Sequence, residues 1–164
     1  LWLGLTGEEA DLLDTAGRVH DLGKVAMSPS LLSKQGPLDE DEWRQVRQHP
    51  VNGAAILERF AGYRECSLLV RHHHEWWDGS GYPAGLAADA IPLGSRILAV
   101  ADAFDAMTSA RAYRQAQGPD AAMRILEAGA GAQWDPRVVQ AFLEHRRQAT
   151  AATESTAAGQ PAHA

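Results

Sequence analysis

Apolar residues recur at helical spacing along most of the chain, and no stretch sustains the alternation of an exposed strand, so the pattern predicts an all-α domain. A first helix opens at Thr6-Gly7-Glu8-Glu9, a cap followed by acidic residues. It carries Leu12, Leu13, Ala16 and Val19 on its apolar side and ends near the turn Asp21-Leu22-Gly23-Lys24. His20 and Asp21 close that helix. Met27-Ser28-Pro29 and Gln35-Gly36-Pro37 mark a loop around a short turn at Leu31-Leu32, and Asp39 with Glu42 reads as a capping box for a helix from Glu40 to Gln48. Pro50 has no amide hydrogen and suits the first turn of the next helix, through Ile56, Leu57 and Phe60, which leaves His49 at the junction. A helix from Arg64 to Trp77 is expected to carry the run His72-His73-His74. Asp78 to Leu93, rich in Gly and Pro, reads as a long ordered loop, and helices follow at Gly94 to Ser109, Asp120 to Ala128 and Pro136 to Arg147.

Composition narrows the function classes. With 164 residues, 45% of them hydrophobic, the chain can build one packed core, assigned to residues 1–149. Residues 150–164, mostly Ala, Thr, Gln and Ser, read as a disordered tail. Acidic residues outnumber basic ones, 21 to 15, which argues against DNA as a partner, so phosphate binding has to come from a local cluster or from bound cations. No apolar run approaches the roughly 20 residues of a membrane-spanning helix, and Leu1 to Leu5 is too short for a signal peptide. The lone Cys66 excludes an internal disulfide and fits a reducing compartment. Because the chain opens on Leu1 rather than Met, it is read as a piece of a longer polypeptide, with sensory or membrane domains upstream.

Candidate chemistry lies in His20-Asp21, His49, His73-His74 and Asp102, spread over four predicted helices. Adjacent His and Asp residues at a helix end point in different directions, an arrangement natural to a carboxylate placed between two cations. Asp102 sits in the apolar stretch Leu98-Ala99-Val100-Ala101-Asp102-Ala103-Phe104, where an unpaired carboxylate costs several kcal/mol; it needs a metal or a cationic partner such as Arg96. A mixed nitrogen and oxygen set of more than four ligands, without thiolate, points to two octahedral ions such as iron or manganese rather than structural zinc. Two cations within roughly 4 Å of one another can activate water and neutralise charge in phosphodiester hydrolysis. Lys24, a helical turn from His20, is placed to donate to a phosphate oxygen. Arg111 and Arg114, three apart, form either a second phosphate clamp or a solvated face.

These residues resemble the HD-GYP family, a branch of the HD phosphohydrolases that hydrolyse the bacterial second messenger cyclic di-GMP. The likeness runs from about Leu5 to Leu143. It includes His20-Asp21-Leu22-Gly23-Lys24, His49-Pro50 with Gly53, the block from His73 to Pro83 and Ile91-Pro92-Leu93-Gly94-Ser95-Arg96-Ile97. Val100-Ala101-Asp102-Ala103-Phe104-Asp105-Ala106 completes it. The resemblance implies an HD-type helical bundle with a long Gly- and Pro-containing loop. It implies two divalent ions, iron or manganese, with zinc, nickel or magnesium as occupants of a preparation. Asp21 would bridge them, His20 and Asp102 completing one and His49, His73 and His74 the other. Lys24, Arg111 and Arg114 match phosphate-contacting positions, and Gly81, Tyr82 and Pro83 match the signature loop, associated with substrate-site shape and with docking of GGDEF cyclase domains. His72 matches no usual ligand position and is left to a supporting or surface role.

Two departures accompany the likeness. A further His, and in some members a Glu, comes from a helix whose position would fall before Leu1, and Ala110 and Ala112 stand where Asp and Pro are usual. The expected activity is conversion of cyclic di-GMP to pGpG and onward to GMP in a bacterial cytoplasm, with a sensory or receiver domain upstream. The competing readings are a nucleotide-binding or GGDEF-docking module without turnover, and a hydrolase for another cyclic dinucleotide or nucleotide.

Overall fold

In a computed structural model of the protein, residues 3–110 and 116–158 are described, with side chains as far as 151. Among the described residues eight α-helices follow one another: α1 Gly7–Val19, α2 Pro29–Leu32, α3 Glu40–Val46, α4 His49–Leu57, α5 Arg64–Arg71, α6 Leu93–Thr108, α7 Pro119–Ala128 and α8 Pro136–Ala158. Among the described residues no strand forms, only an isolated bridge between Ala130 and Trp134.

The helix starts obey local chemistry. Thr6 accepts from the Glu9 amide while the Glu9 carboxylate takes the Thr6 amide at 2.8 Å, and Asp39 and Glu42 repeat the arrangement on α3. Each pair satisfies donors that the first helical turn leaves free. Pro50 lies in the first turn of α4, as its missing amide hydrogen demands.

Two apolar clusters hold the bundle. Ala16, Leu57, Cys66 and Val70 bury the faces of α1, α4 and α5, while Leu126, Trp134, Val138 and Leu143 close the end built from α7 and α8. Helix α6 belongs to both, with Leu98 in the first and Val100 in the second, and so forms the spine on which Asp102 is mounted.

Helix α3 ends at Val46 rather than Gln48 and α4 at Leu57 rather than running through Phe60, and two elements depart further from the expected bounds. Helix α5 stops at Arg71, and His72 to His74 form a turn rather than a continuation to Trp77. Consecutive side chains on an α-helix point about 100° apart, so a continuous helix would aim His73 and His74 at different surroundings, whereas the turn brings both to one cleft. Helix α8 continues past Arg147 to Ala158, into the segment whose composition predicts a disordered tail; Ala, frequent there, is the strongest helix former.

Candidate metal centre

The site lies where α1 ends, α4 begins, α5 gives way to the histidine turn and α6 passes. One glycine permits that meeting: a Cβ at Gly23 would overlap the His49 carbonyl oxygen and press on the Gly53 amide, so only a bare Cα lets the turn after Asp21 lie on the backbone of α4. Asp21 and His49 thereby come into contact, with Oδ1 of the first 3.4 Å from Nε2 of the second. The other oxygen of Asp21 lies 3.5 Å from Nε2 of His20, which in turn stands 3.5 Å from Oδ1 of Asp102. Lys24 closes the mouth, its Nζ 2.6 Å from the same Asp21 oxygen.

Three imidazoles are oriented in one way. Nδ1–H of His20 donates to the Gly17 carbonyl at 2.7 Å, that of His49 to Val46 at 2.8 Å and that of His73 to Val70 at 2.6 Å. This fixes the tautomer and leaves the Nε2 lone pair of each ring facing the cleft. Nε2 of His49 and of His73 are buried and have no hydrogen-bond partner. An unpaired buried polar atom costs about 1–3 kcal/mol, so two of them side by side call for a bound electrophile.

Ligand atoms gather into two overlapping groups, His49, His73 and His74 in one and His20, Asp21 and His73 in the other, each within 4.8 Å. Contacts of 3.4–3.5 Å between nitrogen and oxygen are long for hydrogen bonds but suit two donors sharing an ion, since bonds of about 2.1 Å separate such donors by about 3 Å or more. The donor set and the orphaned nitrogens therefore fit a divalent cation.

Electrostatics favour the ligating protonation states of His49, His73, His74 and Asp102, and oppose that of His20. Burial pushes His73 down to about 4 and His74 down to about 2, and it lowers His49 as well, so these rings are neutral at pH 7. Burial alone would raise Asp102, but the contact with His20 and the nearby imidazoles outweigh it and hold the carboxyl at about 2. The same contact with Asp102 raises the pKa of His20. Asp102 does not pair with Arg96, the alternative open in the sequence: Arg96 instead binds Asp89 at 2.9 Å and Asp135 at 2.8 Å.

The Gly81-Tyr82-Pro83 loop is seated on the histidine turn. A side chain at Gly81 would collide with the Trp76 amide and the His74 carbonyl; with none, the Tyr82 amide donates to that carbonyl at 3.1 Å, and the Tyr82 ring rests 5.0 Å from His74. The Tyr82–Pro83 peptide is cis. Glu75, which sequence reasoning passed over, anchors the loop: its buried carboxylate accepts from the Ala84 amide at 2.7 Å and the Leu86 amide at 3.0 Å, with Nδ1 of His72 3.4 Å away. His72 thus supports Glu75 and is turned from the other histidines. The sequence signal was the acid directly after the histidine run, opening a Gly-rich loop with amides to satisfy. Arg111 and Arg114 lie outside the described residues.

The HD domain profile matches residues 2–138 of this chain. The chain belongs to the HD domain family. Among curated relatives, this HD domain is 46% identical over 150 residues to the cyclic di-GMP phosphodiesterase response regulator RpfG of Xanthomonas campestris, covering 89% of this chain and 39% of that protein. It is 40% identical over 144 residues to 3'3'-cGAMP-specific phosphodiesterase 2 of Vibrio cholerae, covering 87% of this chain and 28% of that one. The chain thus spans well under half the length of these relatives. A crystal structure of a cyclic GMP-AMP specific phosphodiesterase from V. cholerae superposes with a TM-score of 0.68 at 20% identity, over 88% of this chain and 40% of that one, and shares the fold.

Proposed function

We propose that this HD domain hydrolyses cyclic di-GMP to linear pGpG, and onward to GMP, as the phosphodiesterase part of a longer bacterial signalling protein. The observation that carries the reading is the pair of overlapping ligand groups built around orphaned Nε2 atoms. His49, His73 and His74 would hold one divalent ion, iron or manganese, and His20 with Asp102 a second. Asp21 is offered to both, since its two oxygens face His49 and His20 separately. Such ions, when bound, lend positive charge to a phosphoryl oxygen and acidify water. Lys24, whose Nζ donates to Asp21 at 2.6 Å, is placed to donate to a non-bridging phosphate oxygen as well. Gly81, Tyr82 and Pro83 wall the cleft above His74, and Arg111 and Arg114 are assigned to a second phosphate.

The relatives named for cyclic di-GMP favour that substrate, while those named for 3'3'-cGAMP support a second reading in which a mixed cyclic dinucleotide is cleaved. A sensory or receiver domain upstream and a GGDEF protein docked on the Tyr82 loop complete the proposal. The messenger's location puts the domain in the cytoplasm, and among the described residues no helix is long and apolar enough to cross a membrane. Metal analysis of anaerobically purified protein, with side-by-side turnover of cyclic di-GMP and cyclic GMP-AMP, tests the reading. Metal-dependent release of pGpG supports it; absence of turnover with iron, manganese and zinc, in folded protein, rejects it.

A further inference from the structure

Beside the histidines, a cavity of about 530 Å³ opens between α3 and the signature loop, lined by Glu40, Trp43, Arg44, Arg47, Tyr82 and Pro83. It adjoins the metal centre across one ring, since Tyr82 lines the cavity and lies 5.0 Å from His74 and 5.7 Å from the Arg47 guanidinium. Arg47 is also 5.9 Å from the ring of Trp43, so its planar fork is held between two aromatic side chains. No carboxylate among the described residues pairs with it. Its neighbour Arg44, by contrast, is tied to Asp41 at 2.7 Å. Trp43 is 47% exposed, a large flat apolar surface left open to solvent at the rim.

We infer that this cavity is a guanine subsite, in which Arg47 reads the base and Trp43 stacks on it. The inference rests on the proposed cyclic dinucleotide reading, and it names what selects the base. Guanine presents two acceptors, O6 and N7, on one edge, and a guanidinium fork donates to both; adenine puts an amino donor in place of O6, opposite a group that has no acceptor. Glu40 lines the same cavity and offers a carboxylate to the N1–H and N2–H donors on the other edge of guanine. The size suits a purine, and the unpaired guanidinium loses no internal ion pair on binding. Because one subsite reads one base, cyclic di-GMP and cyclic GMP-AMP both satisfy it and cyclic di-AMP does not.

The test compares cyclic di-GMP with cyclic di-AMP on the whole metal-loaded chain, as wild type, Arg47→Met, Arg47→Lys and Trp43→Ala. Expected are a preference for guanine in the wild type and a roughly tenfold to hundredfold rise in KM for cyclic di-GMP in both Arg47 variants, with kcat little changed. The guanine preference should shrink by the same factor, and Trp43→Ala should raise KM for both substrates by roughly tenfold. Equal losses on the two substrates in the Arg47 variants would make Arg47 a phosphate contact and overturn the inference, as would unaltered kinetics. Arg47 and Trp43 are exposed, and matching thermal melts confirm that the variants fold. If the wild type turns over neither substrate, the phosphodiesterase reading fails, and calorimetry of GMP against AMP then judges the subsite alone. Tighter GMP binding that is lost in Arg47→Met upholds it, and equal binding of both nucleotides rejects it.

Discussion

Among the described residues, the polar clusters around Asp135 and around His73 are finished differently. At the α6–α8 end, the carboxylate of Asp135 is saturated by protein: Arg96 donates at 2.8 Å, and Arg137 gives its backbone amide at 2.9 Å and its guanidinium at 3.0 Å. Asp89 bridges both arginines from the 3₁₀ turn Ala88–Ala90, and only Nε of Arg96 is left over. At the other cluster, His20, His49 and His73 each satisfy Nδ1 against a carbonyl three residues back, and the opposite nitrogens of His49 and His73 have nothing to bind. Polar residues that complete themselves are holding the fold together; polar residues arranged with care and left incomplete are waiting for something from outside.

The largest effect that distinguishes the clusters is expected from Asp21→Ala, which takes a carboxylate from between the two ligand groups. Turnover of cyclic di-GMP should fall by at least about a thousandfold and the bound metal should drop, while the melting temperature of chelator-treated protein moves little. An active variant would show that the contact between Asp21 and His49 is merely structural.

Asp135→Ala should do the reverse. It leaves the buried Arg96 with only the exposed Asp89 as partner and should cost about 1.5–3 kcal/mol of stability, read by denaturant titration, with activity per folded molecule retained. A stability loss below about 1 kcal/mol would place the network on the surface energetically.

Acid should separate the clusters by where each gives way. Unfolded His73 takes a proton near pH 6.5, but the folded ring, held down by burial, resists until about 4. Between those values the unfolded state binds more protons, so metal-free protein should lose stability as pH falls through this window. His20, raised by Asp102, works in the opposite sense, its contribution present below its unfolded pKa and lost as pH rises through the folded one. Burial tends to raise Asp135, but hydrogen bonds from Arg137 and Arg96 bring it below 3.8, so its contribution holds until more acid conditions. Denaturation curves of chelator-treated His73→Gln against wild type, from pH 7 to 4, check this: the variant should show the shallower decline.

The smallest effect is expected from Glu75→Gln. One oxygen is replaced by an amide nitrogen that faces a backbone N–H, costing about 1–2 kcal/mol and loosening the loop that carries Tyr82, which a raised KM would report.

What the sequence made legible was mostly local. The capping boxes at Thr6 and Asp39, the start of α4 at Pro50 and the closing of α1 at His20 each depend on neighbours within four residues, so the signals sit beside the structures they specify. The six candidate ligand positions fall in four short segments, His20-Asp21, His49, His73-His74 and Asp102, each readable by itself, and the fold brings all six to one cleft. What escaped depended on distant partners. The turn that follows α5 packs on a loop further along the chain, where the Tyr82 amide donates to the His74 carbonyl, and the buried partner of Arg96, Asp135, lies 39 residues away. Glu75 looked like an acid at the start of a loop until its amide donors at Ala84 and Leu86 were seen around it.

Gly23 touches the carbonyl of one metal-ligand candidate and stands two residues after another. A methyl group there would wedge the first turn away from α4 and pull Asp21 off His49 in one stroke, so both halves of the centre share a single point of failure. A chain that folded despite Gly23→Ala would keep every ligand and still be unable to bring them together.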